Sequence, residues 1–276
     1  MLQRADCVVV SYGKSGRTWL RVMISRFYQL RYGMPQDALL SFDNLHKRNG
    51  AIPKILFTHD NYIADITGNR ADKADFRGKK VILLTRHPGD VAVSQYFQWR
   101  FRMAARKKAL NGYPAHGADV SVQDFVLRHE AGLDRAVAFL NEWAGAMPGL
   151  SNVLVVRYED LRADTAAALR RVLEYIGGNP TKEEVAEAVS FASVENMRQL
   201  ETRSVFRQSG SRLLATNKDN PDSYKVRRAK VGGYRDYFDD SEAEQIDCYI
   251  AKHLAPVFGY SPVAPGADSQ KAAMHG

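Results

Sequence analysis

Four short apolar runs punctuate the chain: Val8-Val9-Val10, Ile55-Leu56-Phe57-Thr58, Val81-Ile82-Leu83-Leu84-Thr85 and Val153-Leu154-Val155-Val156. None alternates with polar residues as a half-exposed strand does, so each predicts a strand covered on both faces. The segments between them carry helical spacing. Leu20, Met23, Ile24, Phe27 and Tyr28 predict a helix over residues 20–32, ended by Gly33 and Pro35. Pro88 suits a first helical turn, and Val91, Val93, Tyr96 and Phe97 begin its apolar face. A long helical pattern covers residues 122–146, with Phe125, Val126, Leu133, Val137, Leu140 and Trp143 as core contacts. Another runs over 165–176 and stops at Gly177-Gly178. Thr181 with Glu184 three residues on predicts a capping box, and the last helix is expected over 241–254. Residues 36–52 read as loop, 100–120 as a mobile connection or lid, and 202–233 as a polar, basic stretch. The alternation predicts an α/β fold: a single domain over residues 1–263 with a central parallel sheet flanked by helices, then a disordered tail over 264–276. The runs end at Ser11-Tyr12, Thr58-His59, Thr85-Arg86 and Arg157-Tyr158. In such a sheet these polar residues collect at one carboxyl edge, where open α/β sheets bind ligands.

The turn after the first run changes the picture from fold to chemistry. Gly13, Lys14, Ser15 and Gly16 join a strand to a helix start near Thr18. The first N–H groups of a helix have no internal partner and carry partial positive charge, so this is an anion site. Lys14 adds a full charge, and Ser15 and Thr18 add hydroxyls; a phosphate or sulfated phosphate is the expected ligand. The nucleoside-triphosphate loop needs a Gly, four residues, then Gly-Lys-Ser/Thr, and that pattern is absent. A formal net charge of +8 fits an anionic ligand without choosing among nucleotide, nucleic acid and acidic glycan. Cys7 and Cys248 make no disulfide framework and read as packing residues. No long apolar segment or signal peptide precedes the first strand, so a cytoplasmic protein is expected, with peripheral membrane contact through basic residues left open.

Tyr12-Gly13-Lys14-Ser15-Gly16-Arg17-Thr18-Trp19 resembles the phosphosulfate loop of sulfotransferases that use 3′-phosphoadenosine 5′-phosphosulfate (PAPS). Gly13 stands where that family usually has Pro, and Arg17 where it often has Thr. Arg86-His87-Pro88-Gly89-Asp90-Val91-Ala92-Val93-Ser94 resembles the family's 3′-phosphate site, and residues 226–238 resemble its C-terminal signature, with Ala229 in place of a Gly. The resemblance covers roughly residues 6–260. It implies a P-loop-NTPase-like sulfotransferase fold and sulfuryl transfer from PAPS, with no metal expected. It implies that Ser15, Gly16, Arg17 and Thr18 hold the phosphosulfate, and that Arg86, Ser94, Arg227, Arg228 and the Ala229 backbone hold the 3′-phosphate. Trp19, Tyr158 and Ser193 align with adenine contacts. Trp19 also reads as a core residue of the first helix, and Arg86 as an ion-pair partner of Asp90.

By the same resemblance Lys14 neutralises the leaving phosphate oxygen. His59, in Phe57-Thr58-His59, matches the base of the family's Lys-Thr-His segment, and its ordinary pKa of about 6.5 suits that task. Asp60 is the competing base, or orients His59. Phe57 stands for the family's Lys, a loss that Arg17 or another Arg could make good. The acceptor is a hydroxyl or amine on a small molecule, glycan or lipid; nucleic acid is not expected. Two other readings stay open: a nucleotide kinase-like phosphoryl transferase and a non-catalytic polyanion binder. Asp239-Asp240 occupy the place of a dimer motif found in cytosolic members, so that dimer is not expected.

Overall fold

The computed structural model describes residues 1–209 and 213–260. The tail expected over 264–276 lies outside the described residues. Strands β1 (Cys7–Val10), β2 (Ile55–Thr58), β3 (Lys80–Thr85) and β4 (Val153–Arg157) form a sheet in the order β2-β1-β3-β4, every pairing parallel. The apolar runs lack alternation because both faces are covered. Cys7 and Val9 of β1 point into one core with Ile82 and Leu84 of β3. Val8 and Val10 point into the other with Val81 and Leu83. Helices α1 (Arg17–Tyr32), α7 (Thr165–Tyr175), α8 (Lys182–Phe191) and α9 (Val194–Thr202) cover the first face. Helices α3 (Pro88–Arg102), α5 (Leu133–Ala146) and α10 (Asp240–His253) cover the second. Shorter helices α2 (Asn61–Thr67), α4 (Ala105–Leu110) and α6 (Tyr158–Ala163) lie in the connections. From β1 the chain runs outward to β2, then crosses to β3 on the other side. The crevice at that reversal, between the ends of β1 and β3, is where such sheets take ligands.

Several expected boundaries shift, each for a local reason. The first helix begins at Arg17, ahead of its apolar face, because Gly16 in left-handed backbone (φ 93°) already turns the chain into it. The pattern over 122–146 is two elements, a π-helical turn at Asp124–Arg128 and then α5. Between them the chain doubles back so tightly that a Cβ on Gly132 would sit 2.2 Å from the Phe125 carbonyl oxygen. The six core contacts expected there are nonetheless buried; the apolar spacing survived a break that only Gly132 could have signalled. The 100–120 stretch is fastened to α3: Trp99 Nε1 donates to the Pro114 carbonyl at 2.9 Å and Tyr96 Oη to that of Val120 at 3.2 Å. The Thr181–Glu184 capping box is present. A second one, Asp239 with Glu242, starts α10, so the residues at the dimer-motif position serve as a helix start.

Candidate active site

The loop after β1 turns through left-handed backbone at Lys14 (φ 71°) and Gly16. No side chain caps α1, so its first N–H groups are open to a ligand. A Cβ on Gly16 would lie 2.7 Å from the Tyr158 ring, so the glycine supplies both the turn and the room for Tyr158 beneath it. Gly13 has a similar local cause: a Cβ there would lie 2.8 Å from Gln95 Oε1. Gly cradles and open helix N–H groups together make a place for a phosphate-like anion.

Arg86, at the end of β3, ties three distant segments together. It donates to the Lys14 carbonyl at 3.3 Å and to the Lys230 carbonyl at 3.0 Å, and pairs with Asp90 at 3.4 Å. Its guanidinium lies 4.2 Å from the centroid of the Tyr158 ring. The Asp90 pairing read from the sequence is therefore present. Asp90 also accepts from the backbone N–H groups of Gly232 and Tyr234, each at 2.9 Å, which pins the C-terminal signature against the start of α3. Arg227 packs over Phe97 at 3.7 Å, and both Arg227 and Arg228 donate to Tyr237 Oη. Ala229 adopts φ 53°, left-handed backbone that explains a glycine as the family's usual residue.

His59 sits past the end of β2, open to the cleft. Its Nδ1–H donates to the Ser11 carbonyl at 2.8 Å, and its Nε2 accepts from Arg17 Nη2 at 2.6 Å. Arg only donates, so Nε2 carries the lone pair and Nδ1 the proton. Crowding by the surrounding protein, then the charge of Arg17, pushes the His59 pKa down to about 3, against the pull of the Ser11 carbonyl. Asp60 does not orient His59. Its carboxylate is buried against Lys73 Nζ at 2.8 Å, and Lys73 also meets Glu142 at 3.0 Å. Burial holds the Asp60 carboxyl above its ordinary range, with Lys73 opposing. The orienting group, Ser11's carbonyl, was invisible in the sequence because any residue there would supply it.

A second cluster was missed outright. Glu201 of α9 is fully buried and accepts from the backbone N–H of Lys225 at 2.7 Å and of Val226 at 3.0 Å. Arg102, at the end of α3, reaches the same carboxylate at 3.2 Å. Lys225 thereby stands on the wall of the cleft. Burial first, and then Arg102, pushes its pKa down to about 7, Glu201 opposing. Burial and the charges of Lys225 and Arg102 also hold the Lys14 ammonium well below its ordinary range. No spacing rule joins residues 102, 201 and 225; only a cation in an otherwise polar loop hinted at the last.

These groups face a cleft of about 820 Å³. Lys14, Gly16, Arg17, Thr18, Trp19, His59, Arg86, Ser94, Tyr158, Arg227, Arg228 and Ala229 all line it. Two expected residues do not. Ser15 is buried under the loop, and Ser193 spends its hydroxyl capping α9, accepting from the Asn196 N–H at 3.2 Å. Trp19 packs against the core and also borders the cleft, and its Nε1 donates to the Ala192 carbonyl at 2.8 Å.

The sulfotransferase domain profile matches residues 4–258. The chain belongs to the sulfotransferase family. Rat sulfotransferase 2A6 is 23% identical over 95% of this chain and 88% of the relative. Cytosolic sulfotransferase 10 of Arabidopsis thaliana is 23% identical over 91% of this chain and 79% of the relative. Among solved structures, a mouse sulfotransferase complexed with PAP aligns with a TM-score of 0.56 at 18% identity, covering 99% of this chain and 90% of that one. Retinol dehydratase in a complex with retinol and PAP aligns with a TM-score of 0.63 at 17% identity, covering 91% and 81%. These likenesses establish the sulfotransferase fold. With the family shown, the kinase and polyanion-binder readings fall away. No described helix is long and apolar enough to cross a membrane.

Proposed function

We propose that this sulfotransferase moves the sulfuryl group of PAPS in line to a hydroxyl, or an amine, of a small-molecule acceptor, in the cytoplasm. Lys14 and the open N–H groups of α1 neutralise the charge that grows on the departing phosphate oxygen. His59 Nε2 takes the acceptor's proton as the new S–O bond forms and the old one breaks. A neutral imidazole with its lone pair toward the cleft is the form that task needs. An anionic donor draws Arg17 toward itself and adds negative charge near His59, and both effects raise the imidazole's basicity. Arg86, Ser94, Arg227, Arg228 and the Ala229 backbone take the 3′-phosphate, and Trp19 and Tyr158 border the adenine. Tyr12 and Phe139, 5.5 Å apart, with Tyr113, give the acceptor side aromatic walls that suit a cyclic alcohol or phenol. Relatives named cytosolic, and the free thiols of Cys7 and Cys248, support the compartment.

The observation that carries the residue roles is the convergence on Arg86 of the Lys14 loop, Asp90 and the Lys230 loop. The test is calorimetric titration of adenosine 3′,5′-bisphosphate (PAP) into the wild type and Arg86→Ala. Loss of a charge-assisted phosphate contact is expected to weaken binding by about ten- to a hundredfold. A folded Arg86→Ala that binds PAP as the wild type does would overturn the assignment.

A further inference from the structure

Arg162 lines the cleft but belongs to none of the donor-site motifs. It stands on α6 one helical turn beyond Tyr158, so the two side chains leave the helix on one face. Both meet the same indole. The Tyr158 ring approaches Trp19 at 5.8 Å and 64°, edge to face, and the Arg162 guanidinium lies over the Trp19 ring, 5.5 Å from its centroid. Trp19 is held still beneath them, packed against the core and with Nε1 on the Ala192 carbonyl at 2.8 Å. These contacts decide where a flat base can stack. Arg86 covers Tyr158, 4.2 Å from its centroid, and Gly16 lies so close to that ring that a Cβ there would stand 2.7 Å from it. Tyr158 therefore offers a ligand its edge. Val194 and Met197, which follow Ala192 along the cleft wall, are apolar but carry no ring. The surface left for stacking is the outward side of the Trp19 indole, where the exposed Arg162 lies. A base between guanidinium and indole needs two stacking spacings, about 7 Å, and an exposed side chain can rise by the missing distance of about 1.5 Å.

We propose that Arg162 is the outer wall of the adenine pocket: the base of PAPS or PAP stacks between the Trp19 indole and the Arg162 guanidinium. This rests on the reading of Trp19 as an adenine contact and adds to it the residue that closes the pocket on the solvent side. A planar guanidinium stacks on the π face of a base as it does on an indole, and its charge is attracted by both rings. A lysine ammonium is a point charge without a plane and cannot take its place. In the ligand-free protein Arg162 rests on the indole and keeps that apolar face covered until the base arrives.

An abasic analogue of PAP, with hydrogen in place of adenine on the ribose 3,5-bisphosphate, keeps both phosphates and removes the base, so it separates stacking from charge attraction. PAP is titrated calorimetrically into the wild type, Arg162→Ala and Arg162→Lys, and the abasic analogue is measured on each by competition with PAP. Arg162→Ala should weaken PAP at least fivefold and change the abasic analogue less than twofold. Arg162→Lys, which keeps the charge, should recover little of the PAP affinity. Equal weakening of both ligands, or full recovery in Arg162→Lys, would make Arg162 a long-range charge for the phosphates and overturn the proposal. Unchanged PAP affinity in Arg162→Ala would overturn it too. A wild type that binds PAP no more tightly than the abasic analogue would overturn the Trp19 reading beneath it. A folded wild type that does not bind PAP would overturn the donor site itself, and both results are distinct from a change confined to the Arg162 variants.

Discussion

At the level of single residues, the donor loop depends on conformations that few side chains accept. Gly16 combines left-handed backbone with a Tyr158 ring 2.7 Å from where a Cβ would stand. Gly16→Ala should therefore push Tyr158 away or reshape the loop, costing about 1–3 kcal/mol of stability. Because Tyr158 also underlies Arg86, PAP affinity should fall more than tenfold; calorimetry and denaturant unfolding check both numbers. Unchanged PAP binding would mean the loop does not cradle the phosphate. Ala229 shows the milder version of the same problem. It holds φ 53° with a Cβ, at a cost of about 1 kcal/mol, and the pinning of Gly232 and Tyr234 to Asp90 keeps it there.

At the level of elements, the strap formed by residues 225–234 is held at the cleft by two buried carboxylates on its backbone N–H groups, with Arg86 and Arg198 on its carbonyls. Asp90 at the start of α3 holds its far end, and Glu201 of α9 its near end. Glu201→Gln would replace one acceptor oxygen by a donor facing an N–H group and leave Arg102 buried without a counter-charge. Removing one partner of a buried pair costs about 3–5 kcal/mol. Chemical denaturation should register a loss of that order. PAP affinity measured below the unfolding transition should also drop severalfold, because the strap carries Arg227 and Arg228. A stability loss with full PAP affinity would show that the strap keeps its place without Glu201. Asp90 and Glu201 both look like ordinary helix acids in the sequence. What marks them is burial against backbone donors, and no linear pattern encodes that.

At the level of the whole molecule, the cation-rich cleft couples stability to pH. Lys225 has a folded pKa of about 7, against about 10.4 for an unfolded lysine, and Lys14 is depressed as well. Between those values the unfolded chain binds more protons than the folded one, so stability rises with pH across that window. His59, at about 3 against about 6.5, has the same sign lower down: stability falls as pH drops from about 6.5 toward 3. Burial holds the Tyr12 and Tyr28 phenols protonated above their ordinary range, which reverses the trend once unfolded tyrosines ionise near 10. The denaturation midpoint of the ligand-free protein should therefore climb from pH 7 to pH 9. Saturating PAP should flatten part of that climb, because its phosphates restore the Lys14 charge. A midpoint that falls over that range, or a slope indifferent to PAP, would contradict the crowding of Lys225 and Lys14.

The sequence by itself determined the parallel sheet, the strand ends and the phosphate turn. Those features are local: a doubly covered strand needs an unbroken apolar run, and an anion turn needs Gly and Lys at a helix start. The capping box at Thr181 and the core face of α5 were legible for the same reason. The break at Gly132, the capping use of Ser193 and the withdrawal of Asp60 into Lys73 were decided by packing between segments far apart in the chain. The Arg17–His59 contact and the Lys225–Glu201–Arg102 cluster likewise exist only once β1, β2, α3, α9 and the strap share one edge. Desolvation and charge crowding arise from that shared edge, so tertiary structure alone set the proton affinities on which the chemistry runs.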